Sequence, residues 1–99
     1  MMKLRINPLV AKDLKEIRDY IADDNPDKAV ETVDNIYKTF ENVQQFPGMG
    51  ADLSKRVSFK TDYKYVICDN YIVLYKNGKE YVEIYRVVNR FQDITRIFN

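Results

Sequence analysis

The sequence predicts an α+β fold in which two paired helices pack on a mostly antiparallel sheet. Two amphipathic helical stretches follow one short strand-like stretch, and three further β-rich stretches come after them. Helices that are segregated along the chain from the strands are typical of this class, because antiparallel strands need no helical crossover. We interpret residues 1–99 as one domain, since a chain of 99 residues builds a single modest core.

The first strand and the first helix are predicted from two different hydrophobic periods. Apolar and basic residues alternate over residues 2–6, which is the pattern of a half-buried strand. Asn7 and Pro8 then supply a capping side chain and a proline suited to the first helical position. The helix should end near residues 23–24, and its apolar stripe consists of Val10, Leu14, Ile17 and Ile21.

A second helix is predicted from Asn25 and Pro26, which repeat the start signal, to the residues before Pro47. Its apolar stripe consists of Ala29, Val33, Ile36, Phe40 and Val43, widened by Val30 and Tyr37. Two amphipathic helices joined by so short a loop form an antiparallel hairpin. We interpret the acidic residues of the loop, Asp23, Asp24 and Asp27, as capping and helix-dipole partners.

The remaining residues predict a sheet of three to four antiparallel strands. Residues 46–54 read as a loop, and residues 55–60 as either an extended connection or an edge strand. Asn77 and Gly78 predict a hairpin turn, because both residue types tolerate positive φ. The predicted strands are 63–67, 71–75 and 81–88, and residues 91–98 are expected to form a short docking segment or a final turn.

Composition narrows the classes of function. The formal net charge is only +1, so the whole-molecule charge gives little support to nucleic-acid binding. Cys68 is the single cysteine, which excludes an internal disulfide and fits a reducing compartment. No stretch is apolar enough to span a bilayer, so we expect a soluble cytoplasmic protein with no membrane partner. With no histidine, no metal or other cofactor is expected.

Three stretches together resemble the RelE/ParE superfamily of toxins from type II toxin–antitoxin systems. The helical hairpin is similar through Asn-Pro-Asp-Lys-Ala at 25–29 and Phe-Pro-Gly-Met-Gly at 46–50. Residues 63–75 resemble the paired central strands of that superfamily. Residues 82–93 resemble its last strand, which carries the motif Arg-Val-Leu-His-Gly-Arg-Arg-Asp.

This resemblance implies a toxin that inhibits bacterial growth until a cognate antitoxin protein neutralises it. It implies two alternative targets, DNA gyrase for a ParE-like toxin and ribosome-associated mRNA for a RelE-like endoribonuclease. In ParE-like relatives the helical hairpin and a sheet edge bind the C-terminal segment of the antitoxin, so a toxin–antitoxin hetero-oligomer is the expected assembly.

The chain also departs from the motif of the superfamily. Asn89 stands in place of the histidine, and Phe91 and Gln92 stand in place of the arginine pair, with Arg90 displaced by one position. The basic residues expected on the central strands of a nuclease are reduced to Lys64. These departures favour a ParE-like toxin or an unusual nuclease. They also keep open a non-catalytic, decayed toxin that acts only as an antitoxin-binding module.

The candidate catalytic residues are Arg86, Lys64 and Arg90. Metal-independent RNA cleavage needs a base, an acid and cations around the phosphate. Without histidine, Glu83, Asp93 or a Lys64 of lowered pKa would have to act as the acid–base group.

Arg86 is the first of these candidates because of its place on the last strand. By the period-two rule it shares one face with Val82, Ile84 and Val88. A guanidinium on an apolar face needs a partner. We therefore expect either a phosphate or target contact, or a structural ion pair with an acidic residue such as Asp93.

Candidate target-binding residues precede the central strands. Lys55, Arg56 and Lys60 form a basic cluster interleaved with aromatic residues, a composition that suits single-stranded nucleic acid. The alternative is an edge strand that lysines protect from aggregation. We interpret the strand tyrosines as packing residues: Tyr63, Tyr65, Tyr71, Tyr75, Tyr81 and Tyr85.

Overall fold

The structure, a computed structural model, describes residues 2–92 and 94–98. The predicted α+β class is confirmed. In the described part of the chain, no helix has both the length and the apolar character that crossing a bilayer requires. The elements are β1 Lys3–Ile6, α1 Leu9–Ala22, α2 Pro26–Gln45, β2 Ala51–Asp52, β3 Tyr63–Cys68, β4 Tyr71–Asn77 and β5 Tyr81–Asn89, with 3-10 helices at Leu53–Lys55 and Ile94–Phe98.

All five strands form one sheet in the order β1-β5-β4-β3-β2. β1 runs parallel to β5, and every other pair of neighbours is antiparallel. The first strand therefore lies beside the last one, and the helical hairpin makes the crossover between β1 and the rest of the sheet. The prediction missed β2, because only two residues pair there and so short a strand has no readable hydrophobic period.

The helical hairpin forms at the predicted place. Asn25 caps α2, since its Oδ1 accepts a hydrogen bond from the backbone N–H of Lys28 at 3.0 Å. The predicted widening of the apolar stripe was wrong, because Val30 and Tyr37 are 69% and 48% exposed. The buried flank consists of Thr32 and Thr39 instead. Each threonine follows a buried stripe residue by three positions, which keeps it on the same face of the helix.

Each face of the sheet carries its own core. The first core lies between the helices and the sheet and includes Val10, Ile36, Phe40, Val73 and Ile84. The second core lies on the opposite face, where Leu53 and Ile94 from the two 3-10 helices cover strand residues. The residues after β5 thus dock on the sheet, as predicted, although Phe91 is 79% exposed.

A β-bulge in β5 changes which side chains share a face. Leu74 of β4 pairs with Arg86, but the next residue pairs with Ile84, so Tyr85 is the extra residue. After the bulge, Val87 joins Val82 and Ile84 in the first core, whereas Val88 belongs to the second core. The expectation that Val88 shares a face with Val82 was wrong, because the bulge shifts the period by one residue.

Two connecting segments differ from their predicted conformation. β4 and β5 form the expected hairpin, but Asn77 and Gly78 do not adopt the positive φ on which the prediction was based. Among the described residues, only Asp69 has a positive φ, at 54°. Gly78 is required for space, since a Cβ there would lie 2.8 Å from the carbonyl oxygen of Tyr81. Residues 55–60 are not an edge strand. They continue from the first 3-10 helix into turns and bends.

Candidate functional site

The side chain of Arg86 is bound by Asp13 of α1. Arg86 Nε donates to Asp13 Oδ2 and Arg86 Nη2 donates to Asp13 Oδ1, both at 2.8 Å. The backbone N–H of Val87 donates to the same Oδ2 at 3.0 Å. β1 pairs with β5 only as far as Ile84, so the Asp13 carboxylate satisfies an N–H that lies beyond the end of β1. A helix side chain thus supplies the hydrogen-bond acceptor that a longer β1 would have supplied to β5.

The structure contains the structural ion pair, which was one of the two interpretations of Arg86. The partner is Asp13, whereas Asp93, the partner suggested from the sequence, lies outside the described residues. Asp13 is 7% exposed, and the Arg86 side chain is 22% exposed. The hydrogen bonds that Arg86 donates to Asp13 raise the pKa of Arg86. Two parallel N–H···O bonds to one carboxylate form the strongest common arrangement of an arginine ion pair.

The sequence contained a signal for this partner that the prediction did not use. Asp13 follows Val10 by three positions and precedes Ile17 by four, so it lies on the buried stripe of α1. A carboxylate at a stripe position is buried and therefore needs a cation or several N–H donors.

A cavity of about 300 Å³ opens over this ion pair. It is lined by Asp13, Glu16, Ile17, Tyr20, Tyr71, Arg86, Val87, Val88, Asn89 and Gln92. Its titratable lining includes two carboxylates, Asp13 and Glu16, against the single cation Arg86. An added phosphate would be repelled by both carboxylates. The cavity therefore does not favour the phosphate contact that was the alternative interpretation of Arg86.

Lys64 lies on β3 and is also held in an ion pair. Its Nζ is 2.8 Å from Asp52 Oδ1 on the edge strand β2. The hydrogen bond to Asp52 raises the pKa of Lys64, and the same bond lowers the pKa of Asp52. General-base catalysis at neutral pH would need a lysine of lowered pKa. The ion pair with Asp52 shifts the pKa of Lys64 in the opposite direction.

Lys64 and Arg86 do not converge on one point. β4 lies between their strands, with Tyr75 opposite Lys64 and Leu74 opposite Arg86. Adjacent strands are about 4.8 Å apart, so the backbones of β3 and β5 are roughly 10 Å apart. Lys64 bonds outward to β2 and Arg86 bonds to α1, which directs their charged ends away from each other.

Arg90, the third catalytic candidate, lies next to the candidate target-binding residues. Arg56 Nη2 donates to the backbone oxygen of Arg90 at 3.3 Å, and the Arg56 guanidinium lies 5.3 Å from the centre of the Tyr65 ring. Lys55 and Lys60 are exposed on the same segment as Arg56. The structure thus groups Arg90 with the predicted binding cluster.

The strand tyrosines pack, as the sequence predicted. Tyr63, Tyr85 and Phe98 form a cluster of rings with centroids 4.8 to 5.6 Å apart. Burial raises the pKa of Tyr63. Tyr75 is fully buried, and its hydroxyl donates to the carbonyl of Pro47 at 2.6 Å while it accepts from the N–H of Gly50 at 2.9 Å. These contacts give Tyr63, Tyr75 and Tyr85 structural roles in the sheet.

Within residues 2–92 and 94–98, no group of three or more His, Cys, Asp or Glu side chains could hold a metal ion. Cys68 is partly buried, and with no histidine in the chain it has no imidazole to activate it.

Comparisons with known proteins place the chain in a family. The model of the ParE toxin of the type II toxin–antitoxin system parDE matches residues 4–94. A solved structure described as a chromosomal ParDE toxin–antitoxin system from P. aeruginosa matches with a TM-score of 0.76 and 22% identity. The match covers 90% of this chain and 96% of that chain, which shows that the fold is shared. No curated protein matches. Since the family model spans nearly the whole chain, this protein belongs to the ParE toxin family of type II toxin–antitoxin systems.

Proposed function

We propose that this toxin inhibits bacterial growth by acting on DNA gyrase, and that its cognate antitoxin neutralises it by binding. Membership of the ParE family supports the toxin role, and the ParE-like resemblance supplies gyrase as the target. The choice of target rests on one observation, the ion pairing of the two candidate catalytic cations on β3 and β5. Arg86 and Lys64 are each bound to a carboxylate, on strands separated by β4.

The chemical argument against mRNA cleavage follows from those ion pairs. Cleavage at a 2′-hydroxyl needs a base, an acid and cations that are free to meet the crowded phosphate. The chain has no histidine, and the raised pKa of Lys64 keeps its amine protonated. A toxin that traps an enzyme by binding to it needs no such catalytic set. The geometry therefore favours a toxin that acts by binding.

The helical hairpin is the proposed contact for the antitoxin. Val30 and Tyr37 lie seven positions apart on α2, so they share one face of the helix, and both are exposed. Neighbouring helix residues are mostly charged, which sets these apolar side chains apart on the surface. An amphipathic segment of a partner could bury them.

The experiment is expression of the chain in bacteria with and without the small open reading frame next to its gene. We expect growth arrest with filamentous cells and intact mRNA when the chain is expressed alone, and normal growth when both are expressed. Message ends that map within codons, and that disappear in Arg86→Ala, would instead identify ribosome-dependent cleavage.

A decayed toxin is the second candidate, and the Asp13–Arg86 ion pair is the observation that favours it. That pair engages Arg86, the arginine of the superfamily motif that this chain retains, in an ion pair within the protein. This candidate predicts that the chain binds the antitoxin tightly but does not slow growth at any level of expression. Co-purification of the two proteins together with a growth curve distinguishes it from an active toxin.

A further inference from the structure

The small net charge of this protein hides a separation of charge between its two sides. Residues 9–45, which contain both helices, hold five basic and nine acidic side chains, a net charge of −4. The remaining residues hold eleven basic and six acidic side chains, a net charge of +5. The cationic character therefore belongs to the sheet and to the segments that cover its far face.

Two of those segments adjoin on the sheet face opposite the helices. Leu53 and Ile94 are both buried in the second core, which lies on that face. The Phe59 ring meets the Phe98 ring edge to face, with centroids 5.5 Å apart. The bond from Arg56 Nη2 to the Arg90 carbonyl joins the same two segments. Residues 53–60 thus form one continuous surface with residues 90–92 and 94–98.

The basic side chains of these two segments form what we term the basic surface: Lys55, Arg56, Lys60, Arg90 and Arg96. Unlike Lys64 and Arg86, none of the five forms an ion pair with a carboxylate of the described residues. Four are exposed, and Arg90 is partly exposed. Among residues 2–92 and 94–98, no carboxylate neutralises these five charges at ion-pair distance, and only the longer-range effect of Lys55 on Asp52 is present.

We propose that the basic surface binds the phosphodiester backbone of a nucleic acid. Arginine presents a planar fork of donors that matches phosphate oxygens, and clustered cations on one face are the electrostatic footprint of such binding. Aromatic faces accompany the cations, since Arg56 lies over Tyr65 and Arg90 lies 5.4 Å from the Phe91 ring centre. Cations interleaved with ring faces fit nucleic acid better than an acidic protein surface.

The inference goes beyond the proposed function, which names gyrase as the target and assigns no contact with nucleic acid. It is tested without gyrase, so its failure and the failure of the proposed target can be told apart. It extends the expectation from the sequence for Lys55, Arg56 and Lys60 by adding Arg90 and Arg96 from the C-terminal segment.

The experiment measures binding of the purified full-length chain to labelled oligonucleotides of about 20 nucleotides by fluorescence anisotropy at several salt concentrations. Duplex DNA, single-stranded DNA and single-stranded RNA of one sequence are compared, so that the preferred strand is identified. Affinity should fall as salt rises, with a log–log slope of about −0.9 per phosphate contact for duplex DNA and about −0.7 for single strands.

Two charge-reversal variants provide the comparison. Lys55→Glu with Lys60→Glu removes two cations from the basic surface, and Lys12→Glu with Lys15→Glu makes the same change on exposed positions of α1. The first variant should lose about tenfold or more in affinity at low salt and reduce the salt slope by about 2. The second should retain the affinity of the unmodified chain to within about threefold.

Three results would overturn the proposal. One is the absence of binding to all three nucleic acids at low salt. Another is an equal loss of affinity in both double variants, which would show that only the net charge matters. The third is competition by polyglutamate as effective as competition by unlabelled oligonucleotide, since that would identify a surface for acidic proteins.

Discussion

At the scale of single residues, Asp13 and Arg86 hold α1 against β5. Asp13 accepts three hydrogen bonds and is almost fully buried, so removing its carboxylate leaves a guanidinium and the N–H of Val87 without their acceptor. Arg86 could be identified from the sequence as a residue that needs a partner. The identity of that partner depended on where α1 crosses β5, and the spacing of residues along the chain does not contain that information.

Asp13→Ala should lower the free energy of unfolding by about 3–5 kcal/mol, because it leaves the largely buried guanidinium of Arg86, which is 22% exposed, without its partner. Asp19→Ala is the matched control, since that carboxylate is 59% exposed, and its effect should stay within about 0.5 kcal/mol. The measurement is urea denaturation followed by circular dichroism. Equal effects of the two substitutions would contradict the structural role of Asp13.

A second variant keeps this prediction testable if Asp13→Ala does not fold. Asp13→Leu combined with Arg86→Met removes both charges, and it should recover much of the lost stability because no uncompensated charge stays buried. The unsatisfied N–H of Val87 should still cost about 1–3 kcal/mol. A double variant less stable than Asp13→Ala would show that the pair has another role.

The Asp52–Lys64 pair predicts a pH dependence of stability. The pKa of Asp52 is lowered from its ordinary value of 3.8 in the folded protein, so the unfolded chain binds a proton first as pH falls. The contribution of the pair is therefore fully present above pH 3.8 and is lost as pH falls through the lower, folded pKa. At the alkaline end, the pKa of Lys64 is raised above its ordinary value of 10.5 in the folded protein. The stabilising contribution of the pair is therefore lost as pH rises from 10.5 through this higher, folded pKa.

This dependence is measured as the difference in unfolding free energy between the unmodified chain and Lys64→Met from acid to neutral pH. The difference should be largest near neutral pH and shrink below pH 3.8. Lys79→Met serves as control, since Lys79 is exposed and has no ion pair with a described carboxylate. A difference that persists unchanged into strong acid would contradict the assignment.

At the scale of elements, the regular parts of the fold were predictable and the irregular parts were not. Both helices appear within one or two residues of their predicted ends, because a long apolar stripe specifies each of them and Asn25 also caps α2. The bulge at Tyr85 and the two-residue β2 were missed. Both depend on how neighbouring strands pair, and a single strand carries no record of its partner's register.

The turn after α2 shows the same dependence on tertiary contacts. The sequence indicated a loop from its proline and glycines, but not that the buried hydroxyl of Tyr75 would tie that loop to β4 through Pro47 and Gly50. Of the two glycines, only Gly50 lies against other atoms. A Cβ there would be 2.6 Å from the Tyr75 hydroxyl and 2.9 Å from the Tyr65 carbonyl oxygen.

Gly50→Ala should therefore destabilise the protein by about 1–3 kcal/mol, as overpacking of a filled site does. Gly48→Ala is the matched control, since nothing lies within 4 Å of a Cβ at that position. The control should leave stability unchanged or raise it by up to about 1 kcal/mol. Thermal unfolding of both variants checks the prediction, and similar melting temperatures would show that the loop is not held as described.

At the scale of the whole molecule, the resemblance stated from the sequence is confirmed by the family model over residues 4–94 and by the shared fold. The order of elements and three recognisable stretches were enough for that assignment. The functional surfaces were harder to predict, because two of the three candidate catalytic cations, Lys64 and Arg86, are paired with carboxylates distant in sequence. Pairing across the fold, which composition does not reveal, decides which charges are available to a target.

The choice of target is tested most directly by adding the purified toxin to DNA gyrase, supercoiled plasmid and ATP, followed by detergent and protease treatment. If the toxin acts on gyrase, cleaved plasmid should accumulate with increasing toxin, and the cognate antitoxin should abolish this accumulation. The mRNA on translating ribosomes should stay intact at the same toxin concentration. Undamaged plasmid together with mRNA cut within codons would contradict gyrase as the target.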